Sequence, residues 1–242
     1  MCQEEMRIIP AIDIMDGDVV RLLKGNPDNK VTYSNNPIET AKKWEVAGAD
    51  MLHVVDLDAA LSTDKNNIEI ISNLIKAVNI PVEVAGGIRS INAIHGMLSK
   101  NASRVVLGTM AYKEPESIRQ ITKKIGEKIV IAIDQNEGNV MINGWREIAG
   151  PRIDEIIELF LSMGIREFLL TSVDRDGTLT GPDILSLSYA SSSFPSARII
   201  ASGGISSIGD VIRIRSVGCS SVILGKSLYD GKVSIENVKA IA

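Results

Sequence analysis

The chain has 242 residues, 45% hydrophobic and 23% charged, the balance of a globular protein long enough to bury a sizeable core. Only 4% of residues are aromatic, so Ile, Val, Leu, Ala and Met must build that core. Acids outnumber Lys and Arg by 30 to 26, a net charge of −4 that argues against a general nucleic-acid or anionic-membrane surface and leaves any anion to be held by a local site.

Short β-branched runs recur along the chain. The predicted strands are Arg7–Asp13, Met51–Asp56, Pro81–Ala85, Arg104–Leu107, Ile129–Asp134, Glu167–Ser172, Arg198–Ala201 and Ser220–Leu224. Each reads as a nearly continuous apolar run, the pattern of parallel strands covered on both faces. Amphipathic stretches lie between them, with recognisable starts. Asn36-Pro37-Ile38-Glu39 places Asn at a cap and Pro at the first helical position, and Glu114-Pro115 and Gly150-Pro151 resemble it. Eight strands alternating with eight helices predict an α/β fold, a closed (β/α)8 TIM barrel.

The chain also repeats itself. Ile9-Pro10-Ala11-Ile12-Asp13 recurs as Val130-Ile131-Ala132-Ile133-Asp134, and Val84-Ala85-Gly86-Gly87-Ile88 as Ala201-Ser202-Gly203-Gly204-Ile205. Val106-Leu107-Gly108-Thr109 with Tyr112 recurs as Ile223-Leu224-Gly225-Lys226 with Tyr229. Matches in one order at nearly one offset, 117 to 121 residues or about half the chain, predict two (β/α)4 half-barrels, near residues 6–126 and 127–242, fused into one barrel because each alone leaves sheet edges bare. Three connections exceed the usual short loop: Ile14–Asn36, Gln135–Gly150 and Val173–Pro182. They follow the first, fifth and sixth strands, on the face where such barrels carry their chemistry. The first two are expected to be loops that close over a ligand.

Gly86-Gly87-Ile88 and Gly203-Gly204-Ile205 each join a strand to a helix. Glycine admits close backbone approach and positive φ, and a following helix start offers free N–H groups to an anion. Gly108-Thr109 and Gly225-Lys226 repeat the arrangement one strand later. A lone Gly-Gly turn is equally natural as a tight barrel turn, but two symmetric pairs predict two phosphate cradles and a small bisphosphate ligand. Asp13 and Asp134 end equivalent strands on opposite sides of the predicted mouth, a placement suited to general acid–base work on one ligand. Thr171 ends the sixth strand, within reach of a ligand hydroxyl, a place also natural for a β-former. Arg21, Lys24, Arg89 and Trp145 stand on the mouth loops and together suit an anionic, planar ligand.

Other chemistry is missing. His53 lies inside a strand and His95 inside a helix, without partners at triad spacing, and both are expected to be structural. Asp56 and Asp58 suggest a loop-fixing role rather than a metal, and no metal is expected. Apolar runs such as Ile129–Ile133 are far shorter than the ~18 residues of a membrane helix. The start Met1-Cys2-Gln3-Glu4-Glu5 is acidic where a secretion signal is basic, and Cys2 and Cys219 make no disulfide framework. A reduced, cytoplasmic protein, with no nucleic-acid or membrane partner and a monomeric state, is the expectation.

Taken together, Ile9-Pro10-Ala11-Ile12-Asp13, Asp16-Gly17 with Val20-Arg21, Asp56-Leu57-Asp58, Gly86-Gly87-Ile88-Arg89, Gly144-Trp145 and Asp176-Gly177-Thr178 with Gly181-Pro182 resemble the HisA-type isomerases of histidine biosynthesis. The resemblance runs from Met6 to the C-terminus. It implies a twofold-symmetric barrel without metal or organic cofactor that converts the aminoaldose ProFAR into the aminoketose PRFAR by an Amadori rearrangement. By the same motifs, Asp13 is implied as the base at ribose C2, Asp134 as the acid at the ring oxygen, and Thr171 as an aid at the sugar. Arg21, Arg89 and Trp145 are implied to position ring and carboxamide, and Gly87, Gly108, Thr109, Gly177, Gly204, Gly225 and Lys226 to hold the ligand and its phosphates.

Three other readings stay open. Leu170-Thr171-Ser172-Val173-Asp174-Arg175-Asp176-Gly177 is similar to the sister family, the cyclase subunit of imidazole glycerol phosphate synthase, whereas Ala11-Ile12, Arg21 and Gly144-Trp145 point back to the isomerase. A dual-substrate isomerase that also accepts phosphoribosylanthranilate is the second, and a non-catalytic sugar-phosphate-binding scaffold the third.

Overall fold

The computed structural model describes residues 5–61 and 63–241. Eight parallel strands close on themselves: β1 (Arg7–Met15), β2 (Leu52–Asp56), β3 (Val82–Ala85), β4 (Arg104–Leu107), β5 (Ile129–Asn136), β6 (Glu167–Ser172), β7 (Arg198–Ser202) and β8 (Ser221–Leu224). Neighbours in sequence are neighbours in the sheet, β8 pairs back with β1, and β5 pairs with β6 over Val130–Gln135 and Glu167–Ser172. The result is the predicted (β/α)8 barrel.

Period-two alternation splits the strand residues between two cores. Ile8, Ile12, Leu52, Val54, Val105 and Leu107 face outward and pack with Trp44, Ile71, Leu74, Ile118 and Phe160 of the surrounding helices. Ile9, Ala11, Ala85, Val106, Val130, Ala132, Leu169, Ile200 and Ile223 fill the barrel itself. Near the mouth this inner set is small, with Ala11, Ala85 and Ala132, and the shortage of volume opens a cavity.

Helices α1 (Pro37–Val46), α2 (Ile68–Ala77), α3 (Ile91–Ser99), α4 (Pro115–Ile125), α5 (Ile153–Ser162), α6 (Ile184–Ser193), α7 (Ile208–Ser216) and α8 (Ile235–Lys239) cover the strands. Asn36 caps α1 as predicted, its side chain accepting from the Glu39 N–H at 3.1 Å, with Pro37 first in the helix. Ser90 and Ser207 cap α3 and α7 in the same way at 3.1 and 3.2 Å. The Gly150-Pro151 start is displaced: α5 begins at Ile153, where the Arg152 N–H donates to the Glu155 carboxylate at 2.9 Å. Among the described residues, no helix is long and apolar enough to cross a membrane.

Two of the expected long loops are ordered hairpins. Asp18–Leu23 and Asn26–Ser34 extend β1, with Asp13 opposite Val20, and Asn139–Ile142 with Glu147–Ile148 extends β5, with Asp134 opposite Met141. Paired left-handed residues make their turns: Asp16-Gly17 (φ 52° and 83°), Lys24-Gly25 (51° and 68°) and Glu137-Gly138 (50° and 82°). That is the backbone of a tight two-residue hairpin turn, and the X-Gly pairs were its sequence signal. The hairpins also meet, because Trp145 lies against Gly25, where a Cβ would come within 2.6 Å of its ring. They stand together over the mouth rather than apart as separate loops.

Candidate active site

The mouth is built from the C-terminal ends of the strands. A cavity of about 430 Å³ opens there, and Asp13, Arg21, Gly87, Arg89, Gly108, Thr109, Asp134, Trp145 and Thr171 all line it. A second, much smaller space of about 20 Å³ lies beside it and is lined by Arg21, Gly177, Gly204, Gly225 and Lys226. Every site residue implied by the resemblance therefore faces one of two adjoining cavities, whereas Lys24 lines neither.

Closure puts β1 and β5 on opposite walls, so the carboxylates of Asp13 and Asp134 face the space from two sides. Asp13 is fixed by an ion pair, its Oδ2 2.8 Å from Arg21 Nη1, with both side chains mostly buried. The Arg21 Nε is buried and has no hydrogen-bond partner among the described residues. Asp134 sits level with Thr171 of β6. Burial raises its carboxyl above the usual range, while hydrogen bonding from the Trp145 and Thr171 side chains pulls it partly back.

A third acid completes the mouth. Asp176, on the turn after β6, lines both cavities. Burial drives its carboxyl from 3.8 to about 6; Arg21 opposes that rise, and the charges of Asp13 and Asp134 add to it. It sits in the long Val173–Pro182 segment and in the Asp176-Gly177-Thr178 motif of the family resemblance, but the sequence alone assigns it no role.

The glycine turns are shaped by close approach. Gly86 and Gly203 have φ of 92° and 91°, and a Cβ on Gly203 would sit 2.7 Å from the Ser172 carbonyl oxygen. Each pair thus lets the preceding strand's loop pass directly over it, which satisfies the tight-turn reading as well as the cradle reading. Gly108 and Gly225 share one unusual backbone shape, with φ/ψ of −99°/−110° and −112°/−110°. Tyr112 and Tyr229, one turn on, donate equivalent hydrogen bonds to the carbonyls of Ala132 (2.5 Å) and Ala11 (2.8 Å). The contents of the two cradles differ. The one at β3/β4 opens onto the large cavity, and the Thr109 hydroxyl there accepts from the Asn143 N–H at 2.9 Å. In the one at β7/β8 the Arg21 guanidinium lies against Gly225, so closely that a Cβ on Gly225 would collide with it. Lys226 is ion-paired with Asp230, and the Tyr33 hydroxyl donates to Asp230 at 2.7 Å.

Other candidates take supporting places. The Arg89 guanidinium donates to the Ala59 carbonyl at 2.8 Å and so ties the turn after β2 to the cradle. Asp56 caps that turn and, with Asp58, accepts from Asn67 Nδ2 at 2.8 Å each, the loop-fixing role expected of both. His95 lies exposed on α3. His53 is both structural and at the floor of the large cavity. Its Nδ1 is 2.6 Å from Glu83 Oε1, and Glu83 is bound in turn by Arg104, which reaches Glu167 at 3.1 Å. Burial works against the Glu83 charge, but His53 and Arg104 outweigh it and hold the carboxyl below the usual range. No group of three or more His, Cys, Asp or Glu among the described residues is arranged to hold a metal ion.

A cavity at the C-terminal face of a (β/α)8 barrel, lined by facing carboxylates and flanked by glycine turns, defines an enzyme-like, small-molecule site. Residues 7–234 match the histidine biosynthesis protein family, and the chain belongs to that family. It is 49% identical over 237 residues to the 1-(5-phosphoribosyl)-5-((5-phosphoribosylamino)methylideneamino)imidazole-4-carboxamide isomerase of Nitrosopumilus maritimus, covering 98% of this chain and 99% of that one. The isomerase of the same name from Cenarchaeum symbiosum is 49% identical over 96% of this chain and 98% of its own. That of Halothermothrix orenii is 40% identical over the same shares.

Proposed function

We propose that this chain is the histidine-biosynthesis isomerase that converts ProFAR into PRFAR, acting by general acid–base catalysis without a cofactor. The observation that carries the proposal is the set of carboxylates facing one cavity between two glycine cradles, in a chain that aligns over 98% of its length with an isomerase whose name contains two phosphoribosyl groups. A ligand with two phosphates suits two cradles. Gly87, Gly108 and Thr109 hold one end, and Gly177, Gly204, Gly225 and Lys226 the other, which leaves the middle of the ligand over the acids.

The chemistry then divides by environment. An acid gives a proton to the ribose ring oxygen, and the ring opens to a protonated imine. Asp13, which pairs with Arg21 in the empty site, takes the proton from C2, and the resulting enolamine becomes the aminoketose when a proton returns to C1. Atoms and charge balance, because the reaction only relocates hydrogen. Two carboxyls are raised by burial and so suit the acid role: Asp134, as the motif implies, and Asp176, which stands nearest neutrality. Arg21, Arg89, Trp145 and Thr171 orient the ligand. We place the protein in the cytoplasm as a monomer, with a small bisphosphate as its only partner.

The test is turnover of purified protein on the bisphosphate aminoaldose. Isomerisation leaves mass unchanged, so product is followed by NMR in deuterated water, where return of a solvent-exchanged proton to C1 introduces deuterium. Aminoketose formation without a glutaminase or ammonia supports the isomerase over the cyclase. Tight binding without turnover supports the scaffold and refutes the proposal.

A further inference from the structure

The two cradles are alike in backbone and unlike in content, and the difference lies in one side chain. The β3/β4 cradle faces about 430 Å³ of open cavity, whereas about 20 Å³ is left at β7/β8. That is too little for a phosphate group. Arg21 fills the missing space. One side of its guanidinium, through Nη1, is 2.8 Å from Asp13 Oδ2. Its Nη2, Cζ and Nε occupy the space that a Cβ on Gly225 would need, and Nε is buried without a hydrogen-bond partner among the described residues. A guanidinium is a planar fork that binds carboxylate or phosphate through paired N–H groups, and the doubly charged phosphate competes strongly for it. One cation therefore bridges the general base and the seat of a phosphate.

We propose that Arg21 couples the two: a phosphate entering the β7/β8 seat draws the guanidinium off Asp13, and Asp13 is freed to act as base only when that end of the ligand is in place. The proposal rests on the isomerase reading above and deepens it. Substrate bearing both phosphates then spends binding energy from one end on the chemistry in the middle, which raises kcat rather than only lowering KM. Free sugars, and phosphosugars with no phosphate at that end, meet a base still paired to Arg21. Arg21 acts through Asp13, so it is a positioning residue in this step. Its place on the hairpin beside β1, between Asp13 and Gly225, is what allows one side chain to reach both.

The experiment compares wild type, Arg21→Gln and Arg21→Lys on the bisphosphate and on its two monophosphate analogues, each with and without phosphite dianion as a stand-in for the missing group. In wild type, phosphite is expected to raise the kcat for one monophosphate analogue by tenfold or more. Arg21→Gln leaves Asp13 unpaired from the start, so it should lose that activation and turn over the same analogue without phosphite faster than wild type does. Arg21→Lys, which keeps the charge but not the fork, should restore part of the restraint and part of the activation. Equal phosphite activation in wild type and Arg21→Gln overturns the coupling, as does no activation in a wild type that turns over the bisphosphate. Wild type that fails on the bisphosphate itself overturns the isomerase reading instead, and the coupling with it.

Discussion

Replacing Asp176 by Asn should make the protein more stable and less active, and the size of the first effect follows from the site. The carboxyl titrates at 3.8 when solvated and at about 6 in the fold, because burial and the nearby charges of Asp13 and Asp134 disfavour its anion. The folded state therefore binds this proton more tightly than the unfolded chain does, so stability falls as pH rises between the two values and then levels off. At about 1.4 kcal/mol per pH unit, the loss reaches roughly 3 kcal/mol by pH 7. Asn has the same shape and no charge, and it escapes the loss. Its advantage over wild type should grow from about 1 kcal/mol at pH 4.5 to about 3 kcal/mol at pH 7. For a chain of this length that is about 6–12 °C in Tm. Urea unfolding of both proteins across pH 4.5–8 measures it directly. Parallel stability curves would refute the reasoning, since they would mean that the Asp176 anion carries no penalty. If Asp176 is the acid, wild-type kcat/KM should also decline as pH rises past about 6, and that decline should vanish in the variant.

The remaining predictions address the base, the barrel floor and a cradle. Asp13→Asn should lower kcat by a thousandfold or more with the fold intact by circular dichroism, and near-normal turnover would remove Asp13 from the mechanism. Glu83→Ala leaves Arg104 and His53 without their shared buried partner and should cost about 3–5 kcal/mol by urea denaturation; a midpoint within error of wild type would mean that the floor network contributes nothing. Gly204→Ala places a methyl group against the Gly181 carbonyl and within 2.9 Å of Arg175 Cβ, at a φ of 78°. It should cost at least about 2 kcal/mol and weaken inorganic phosphate binding, measured together by thermal shift with and without phosphate; an unchanged Tm would refute the packing argument.

What was legible in the sequence was whatever local pattern encodes. Continuous apolar runs with Gly or Asp at their ends can satisfy their backbone only as buried parallel strands, and eight of them between amphipathic stretches admit a closed barrel. Gly86-Gly87 and Gly203-Gly204 were readable because only glycine tolerates both their φ values and the backbone passing over them. Asp13 and Asp134 were readable because an acid ending an apolar strand has one destination, the mouth. The hairpins were missed although their Asp-Gly, Lys-Gly and Glu-Gly turns carried a signal, since length alone suggested loops.

Tertiary structure decided which charges share a space, because that depends on chain closure between residues far apart in sequence. It set Asp176 beside Asp13 and Asp134 and so raised its carboxyl to about 6. It turned His53, alone in the sequence, into one end of a buried chain through Glu83 and Arg104 to Glu167. It also filled one of two like cradles with Arg21 and left the other open. The repeated glycine motifs encode two like turns; the low dielectric of a closed barrel determines which side chains neutralise one another beside them.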